Sequence, residues 1–287
     1  MGHRPFLVLS DHLTRQGIAV LRFDDRGVGG SVVPDPASLR DVTTLDFASD
    51  TSVLVDHLRA QPGIDPDRIG LIGHSEGGIV APLVADQRDD IAFVVLLAAP
   101  GRRGVELLPD QGAMLMKAAG VEQSVLDETV AQHALVLKML VEGADRKTLR
   151  EPMRTLSHMQ VDAMGLDVEV TDQFVEDAIE QSSNPWITWF LAHDPAPVLA
   201  RLDMPVYAIN GELDLQVPVE TELAVIRDTM HRAGGDLTAR SYPGLNHLFQ
   251  PATTGAVEEY GAIEITMDPV VMAEMARWIN ERMATDE

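Results

Sequence analysis

Short apolar runs alternating with helical patterns fill the first third of this 287-residue chain, and that rhythm constrains the fold more than any other feature. Phe6 to Arg15 carries a helical pattern, and Gly17-Ile18-Ala19-Val20-Leu21-Arg22-Phe23 is a β-branched run of the kind that forms a buried strand. Leu45 to Ala60 gathers Phe47, Leu54, Val55 and Leu58 on one helical face, with Thr43 and Asp46 as its N-terminal cap. Ile69–Gly73 and Ile91–Leu97 are strand-like, and Gly77–Ala85 between them is helical. Strands separated by helices pair in parallel, because each crossover returns the chain to the same end of the sheet. The expectation is an α/β fold, mostly parallel, with helices on both faces.

The middle of the chain breaks this rhythm. From Arg102 to about Asn184 the pattern is helical throughout, interrupted at Gly120, Gly143, Pro152 and Gly165. The alternation returns after Pro185, with strands over Val206–Asn210 and Leu237–Tyr242 around a helix over Glu220–Ala233. Asp268-Pro269, a cap residue followed by proline, starts a last helix running to about Met283. The strands after residue 200 are too few for a second sheet. The expected division is therefore a core in two parts, 1–101 and 186–287, with a helical insertion over 102–185.

Charge and composition exclude several classes. Forty-five acidic residues against 22 basic ones give a formal charge of −23, which disfavours nucleic acid and anionic membranes as partners. The longest apolar run, Ile91 to Pro100, is about half of what a bilayer span needs. No basic and apolar signal pattern opens the chain, and there is no cysteine, so a cytoplasmic location is expected and thiolate chemistry is excluded. Histidines do not recur at metal-ligand spacing, so no metal is expected. Arg26-Gly27-Val28-Gly29-Gly30 lacks the lysine of a phosphate loop and the spacing of a dinucleotide fingerprint. It is read as a turn in which Arg26 pairs a nearby carboxylate, with Asp24 and Asp25 solvated or salt-bridged.

The sharpest chemical signal is Gly73-His74-Ser75-Glu76-Gly77, a serine between glycines after a strand and before a helix. That setting fits a nucleophile elbow, in which a tight turn exposes the hydroxyl. A Cβ at either Gly73 or Gly77 is expected to collide with neighbouring backbone, and the Glu76 amide to face a developing oxyanion. A serine needs a base and an orienting carboxylate, and both follow in the order Ser, Asp, His. Asp214 lies just past the strand ending at Asn210, with Glu212 competing for its role. His247 lies just past the strand ending at Tyr242. All three positions fall at the carboxyl ends of parallel strands, the edge where such sheets place their sites.

With these segments in order, the chain resembles the α/β-hydrolase superfamily, and within it bacterial carboxylesterases with a helical cap. The resemblance rests on Gly2-His3-Arg4-Pro5-Phe6, Leu21 to Gly29, Gly73-His74-Ser75-Glu76-Gly77-Gly78, Gly211 to Pro218, and Asn246-His247-Leu248-Phe249. It implies Ser75 as nucleophile, His247 as general base and then acid, and Asp214 as orienting carboxylate. It further implies cleavage of a small-molecule ester without a cofactor, beneath a helical cap that sets acyl and alcohol size. An amidase or aminopeptidase on the same triad is the alternative, and a truncated, non-catalytic protein on this scaffold is a third reading.

One departure from the pattern has consequences. In such hydrolases a central strand precedes the first helix, and the loop after it gives the second oxyanion amide. This chain starts where that loop would end, so Met1 is read as an internal start or the segment as lacking. The strand at Gly17–Phe23 is then expected to close up against Ile69–Gly73, or a partner chain to fill the slot as in a homodimer. Loss of one oxyanion donor would cost about 2.7–4 kcal/mol and leave a weakened enzyme.

Overall fold

The computed structural model describes residues 2–284; Met1, taken above as an internal start, lies outside the described residues. Helix α1 (Pro5–Arg15) begins on a proline, where no intrahelical partner is lost. Helix α2 (Thr44–Arg59) follows a turn-rich stretch, and strand β1 (Gly70–His74) leads into α3 (Gly77–Ala85) and β2 (Phe93–Leu97). Five helices come next: α4 (Gly104–Ala118), α5 (Gln123–Val141), α6 (Arg146–Ala163), α7 (Asp172–Ser182) and α8 (Pro185–Ala192). The chain closes with α9 (Ala196–Leu199), β3 (Val206–Gly211), α10 (Val219–Ala233), β4 (Leu237–Tyr242) and α11 (Pro269–Arg282). The Asp268 side chain caps α11 by accepting from the Val270 amide at 2.7 Å.

Two compact units result, one of residues up to 39, 44–101 and from 195 on, the other of 40–43 and 102–194. The first contains a four-stranded sheet in the order β1-β2-β3-β4, and every pair is parallel. Phe93, Val95 and Leu97 of β2, with Tyr207 and Ile209 of β3, join one cluster with Leu9 and Leu13 of α1 and with Val271, Met275 and Ile279 of α11. Strand alternation sends Val94, Leu96, Val206 and Ala208 to the other face, where α3 and α10 pack and all four are buried. The chain is thus α/β with helices on both faces of a parallel sheet. Arg26 pairs Asp46 and Asp50 of α2, as its turn suggested, with its Nη2 2.6 Å from Asp50.

The run Gly17–Phe23 corrects the sequence reading. Residues 18–25 have no regular structure, and the run does not close up against β1. Among the described residues no strand pairs with the side of β1 away from β2. β-propensity only says that a run suits a pleated, half-buried surface; a strand also needs a neighbour to bond. Here Ile18 and Val20 turn to the core, while Leu21 and Phe23 remain 37% and 44% exposed.

The second unit is helical, with no strand among the described residues. Its core gathers Val136, Leu137 and Leu140 of α5, Leu149, Met153 and Leu156 of α6, Val175 and Ile179 of α7, and Leu191 of α8. Gly120, Gly143 and Gly165 lie between helices as expected, each at positive φ. Pro152 does not break its helix. Helix α6 runs through it, because burial of Leu149, Met153 and Leu156 on one face outweighs one lost backbone bond. Among the described residues no helix is long and apolar enough to cross a membrane.

Candidate active site

Ser75 follows β1 directly, and its φ of 53° lies in the left-handed region, which a side chain adopts only under constraint. The constraint is backbone bonding: the Ser75 amide donates to Leu97 O at 2.9 Å, and its carbonyl accepts from the Gly78 amide at 2.8 Å. A Cβ at Gly73 would overlap the Gly77 carbonyl, so that glycine is obligatory. Gly77 corrects the expectation made from sequence. A Cβ there would meet nothing within 4 Å, and the second close approach is instead at Gly78, against the Cβ of Ala99. Glu76 occupies the N-cap position of α3, so its amide opens a helix whose positive end favours a developing anion. Its carboxylate accepts from Thr44 Oγ1 at 2.7 Å.

Asp214 sits in the loop after β3 and is 1% exposed. Its Oδ1 accepts from the amides of Gln216 at 2.8 Å and Val217 at 2.9 Å, which leaves Oδ2 aimed away from its own loop. That oxygen accepts from His247 Nδ1 at 2.8 Å. A carboxylate acceptor fixes the proton on Nδ1 and leaves Nε2 as the basic nitrogen. Glu212 does not compete, since it is exposed and accepts from Ser241 Oγ at 2.8 Å.

His247 sits in the loop after β4, and sequence reasoning missed the residues that shape that loop. The wholly buried Asn246 accepts from the Leu248 and Gln250 amides at 3.0 and 2.9 Å, and its Nδ2 donates to Gln250 Oε1 at 3.0 Å. Gln250 Nε2 in turn donates to the carbonyls of Tyr260 and Ile265, both at 3.3 Å. Asn246 ahead of His247, in a Pro-Gly-Leu-Asn turn, was the available signal, because asparagine side chains template such turns. Gly211 at the end of β3 was also missed. A Cβ there would overlap the Leu245 carbonyl, and the Leu213 amide bonds that carbonyl at 2.9 Å. The aspartate and histidine loops therefore lie backbone on backbone.

The structure brings Asp214 and His247 into a direct hydrogen bond and sets the His247 ring beside His74, with centroids 4.6 Å apart. Among the described residues no hydrogen bond joins the Ser75 hydroxyl to His247. Such bonds often tighten only when substrate arrives. Burial, and then the neighbouring His247, push His74 down to about 3. Burial also pushes Tyr260 up to about 12, against a bond from Gln216.

The His74 shift carries a stability prediction. In the unfolded chain this imidazole titrates near 6.5, while in the folded one it stays neutral down to about 3. Below 6.5 the unfolded state takes up a proton that the folded state refuses, so stability is intact above that pH and falls as pH drops toward 3. His74→Gln should flatten this part of a plot of Tm against pH, leaving smaller contributions from the half-buried His133 and His193. An unchanged slope would refute the assignment.

The family described as serine aminopeptidase, S33, matches residues 6–250. Est1E of Butyrivibrio proteoclasticus, solved with ferulic acid bound, aligns over 99% of this chain and 85% of its own at 15% identity, with a TM-score of 0.54. DcsB, solved with a substrate analogue, aligns over 96% of this chain and 85% of its own at 16% identity and a TM-score of 0.53. An esterase of Pyrococcus furiosus aligns over 98% of this chain and 75% of its own at 15% identity and a TM-score of 0.50. At these identities the likeness is one of fold.

Proposed function

The chain belongs to the serine aminopeptidase S33 family of α/β hydrolases, and we propose that it cleaves carboxylic esters through an acyl-enzyme on Ser75. The buried Asp214–His247 hydrogen bond at 2.8 Å, beside His74 at the end of the strand that Ser75 follows, carries this reading. His247 Nε2 takes the Ser75 proton as the oxygen attacks the ester carbonyl, and the Glu76 amide receives the oxyanion. Asp214 stabilises the imidazolium that forms. His247 then returns the proton to the departing alcohol, water attacks the acyl-enzyme with His247 as its base, and His247 passes that proton to Ser75 Oγ as the acid leaves. None of these steps calls for a cofactor.

A fluorophosphonate probe tests the mechanism. The probe is expected to form a covalent adduct that peptide mapping assigns to Ser75. An unmodified Ser75 in folded protein rejects the mechanism and favours a non-catalytic role. The description of the family itself favours a second reading, an aminopeptidase or amidase on the same three residues. A panel of p-nitrophenyl esters, ferulate esters and aminoacyl amides separates the two. Ester turnover is expected to dominate, and faster amide cleavage would replace the esterase reading.

A further inference from the structure

We propose that His74 is a positioning residue of this site, fixing the base-bearing loop to the strand that carries the nucleophile. The assignment rests on the serine hydrolase reading above and deepens it.

β1 and β4 are opposite edges of the sheet, three strand spacings or roughly 14 Å apart. The loop that leaves β4 must therefore cross the ends of β3 and β2 before His247 can serve Ser75. Backbone bonds from Glu212 to Tyr242 O and from Leu213 to Leu245 O, both 2.9 Å, tie the loop to the end of β3. The Asp214 bond holds the imidazole at one atom, about which the ring can still pivot. His74, the last residue of β1, supplies the missing tie. Its Nε2–H donates to the His247 carbonyl at 2.8 Å, and its ring rests on the His247 ring at an interplanar angle of 53°. Among the described residues no other hydrogen bond links residues 243–250 to residues 70–75.

A carbonyl acceptor requires the proton on His74 Nε2, so the bond also fixes the tautomer. The ring of Phe6 meets the His74 ring edge-on at 5.7 Å and limits its rotation. His74 stays neutral beside His247, so it does not oppose the positive charge that His247 takes up in the reaction. Because His74 and Ser75 are consecutive, one short stretch of backbone sets the separation between nucleophile and base. A misplacement of about 1 Å in such a pair costs on the order of a hundredfold in rate.

The test is kinetic, because a purely structural role would change only the melting temperature. Separate portions of the wild-type chain are first labelled with the fluorophosphonate and assayed on p-nitrophenyl acetate. His74→Phe keeps an aromatic ring and loses the donor. It is expected to lower kcat by about tenfold to a hundredfold with KM within about twofold. His74→Gln, whose amide nitrogen lies near the place of Nε2, should recover kcat to within about threefold of wild type. If His74→Phe does not fold, His74→Asn, too short to reach the carbonyl, takes its place with the same expectation. A folded donor-less variant with wild-type kcat overturns the assignment, as does a glutamine variant no faster than phenylalanine. A wild-type chain that neither labels nor turns over ester overturns the underlying mechanism, and this assignment with it.

Discussion

Ser75→Ala should lose turnover of p-nitrophenyl esters by about six orders of magnitude in kcat, and Asp214→Asn by about four. The two losses have different origins. Alanine removes the atom that forms the acyl bond and leaves the backbone of the turn as it is. Asparagine keeps one oxygen, which can still accept from the Gln216 and Val217 amides, so the loop after β3 should survive. Toward His247 it then presents an NH2 group that cannot accept from Nδ1–H. The imidazole must turn over to its other tautomer, and Nε2 ceases to be a base. Initial rates and thermal melts on the same preparations check both. Wild-type melting with the stated losses is expected, and an Asp214→Asn enzyme within tenfold of wild type would remove this carboxylate from the mechanism.

Gly73→Ala should cost at least about 3 kcal/mol of stability, whereas Gly77→Ala should stay within about 1 kcal/mol of wild type. A Cβ at position 73 overlaps a backbone carbonyl, and no flexible side chain is there to yield. The turn would have to open, taking Ser75 out of its left-handed conformation and the α3 amino end away from β1. At position 77 the space is open, and alanine favours the helix that starts there. Urea or thermal melts of the two variants decide the matter. Equal losses would mean that close backbone approach is not what requires glycine before the serine.

Features encoded in a few neighbouring residues were legible in the sequence. Helix α3 follows from an apolar stretch after paired glycines, and the start of α11 from Asp268-Pro269. Gly17–Phe23 shows where local reading ends, because whether an apolar run becomes a strand depends on a partner elsewhere in the chain. Pro152 makes the same point for helices, since its penalty is local and the burial that overrides it is not. At the site, the order Ser75, Asp214, His247 could be read from strand ends, but not which carboxylate meets the imidazole. Glu212 and Asp214 differ by two positions, and only the turn that captures Oδ1 of Asp214 aims Oδ2 at His247. Gln250 and the His74 bond were hidden because each acts through contacts outside its own segment, Gln250 on Tyr260 and Ile265 and His74 on His247.

Asp214 and His247 are 33 positions apart, yet their loops leave neighbouring strands paired residue for residue from Val206↔Leu237 to Gly211↔Tyr242. What separates them in sequence is helix α10, which starts just past the aspartate loop and carries the chain back along the sheet, and the left-handed Gly234 turn, which lies at the other end of those strands. Evolution and protein engineers alike can therefore lengthen the chain at Gly234-Gly235, or splice a reporter there, without altering the reach between carboxylate and imidazole. A single residue added within 212–217 or 243–250 would shift one loop against the other and uncouple them. Tolerance to insertion is thus sharply uneven along one short stretch of polypeptide.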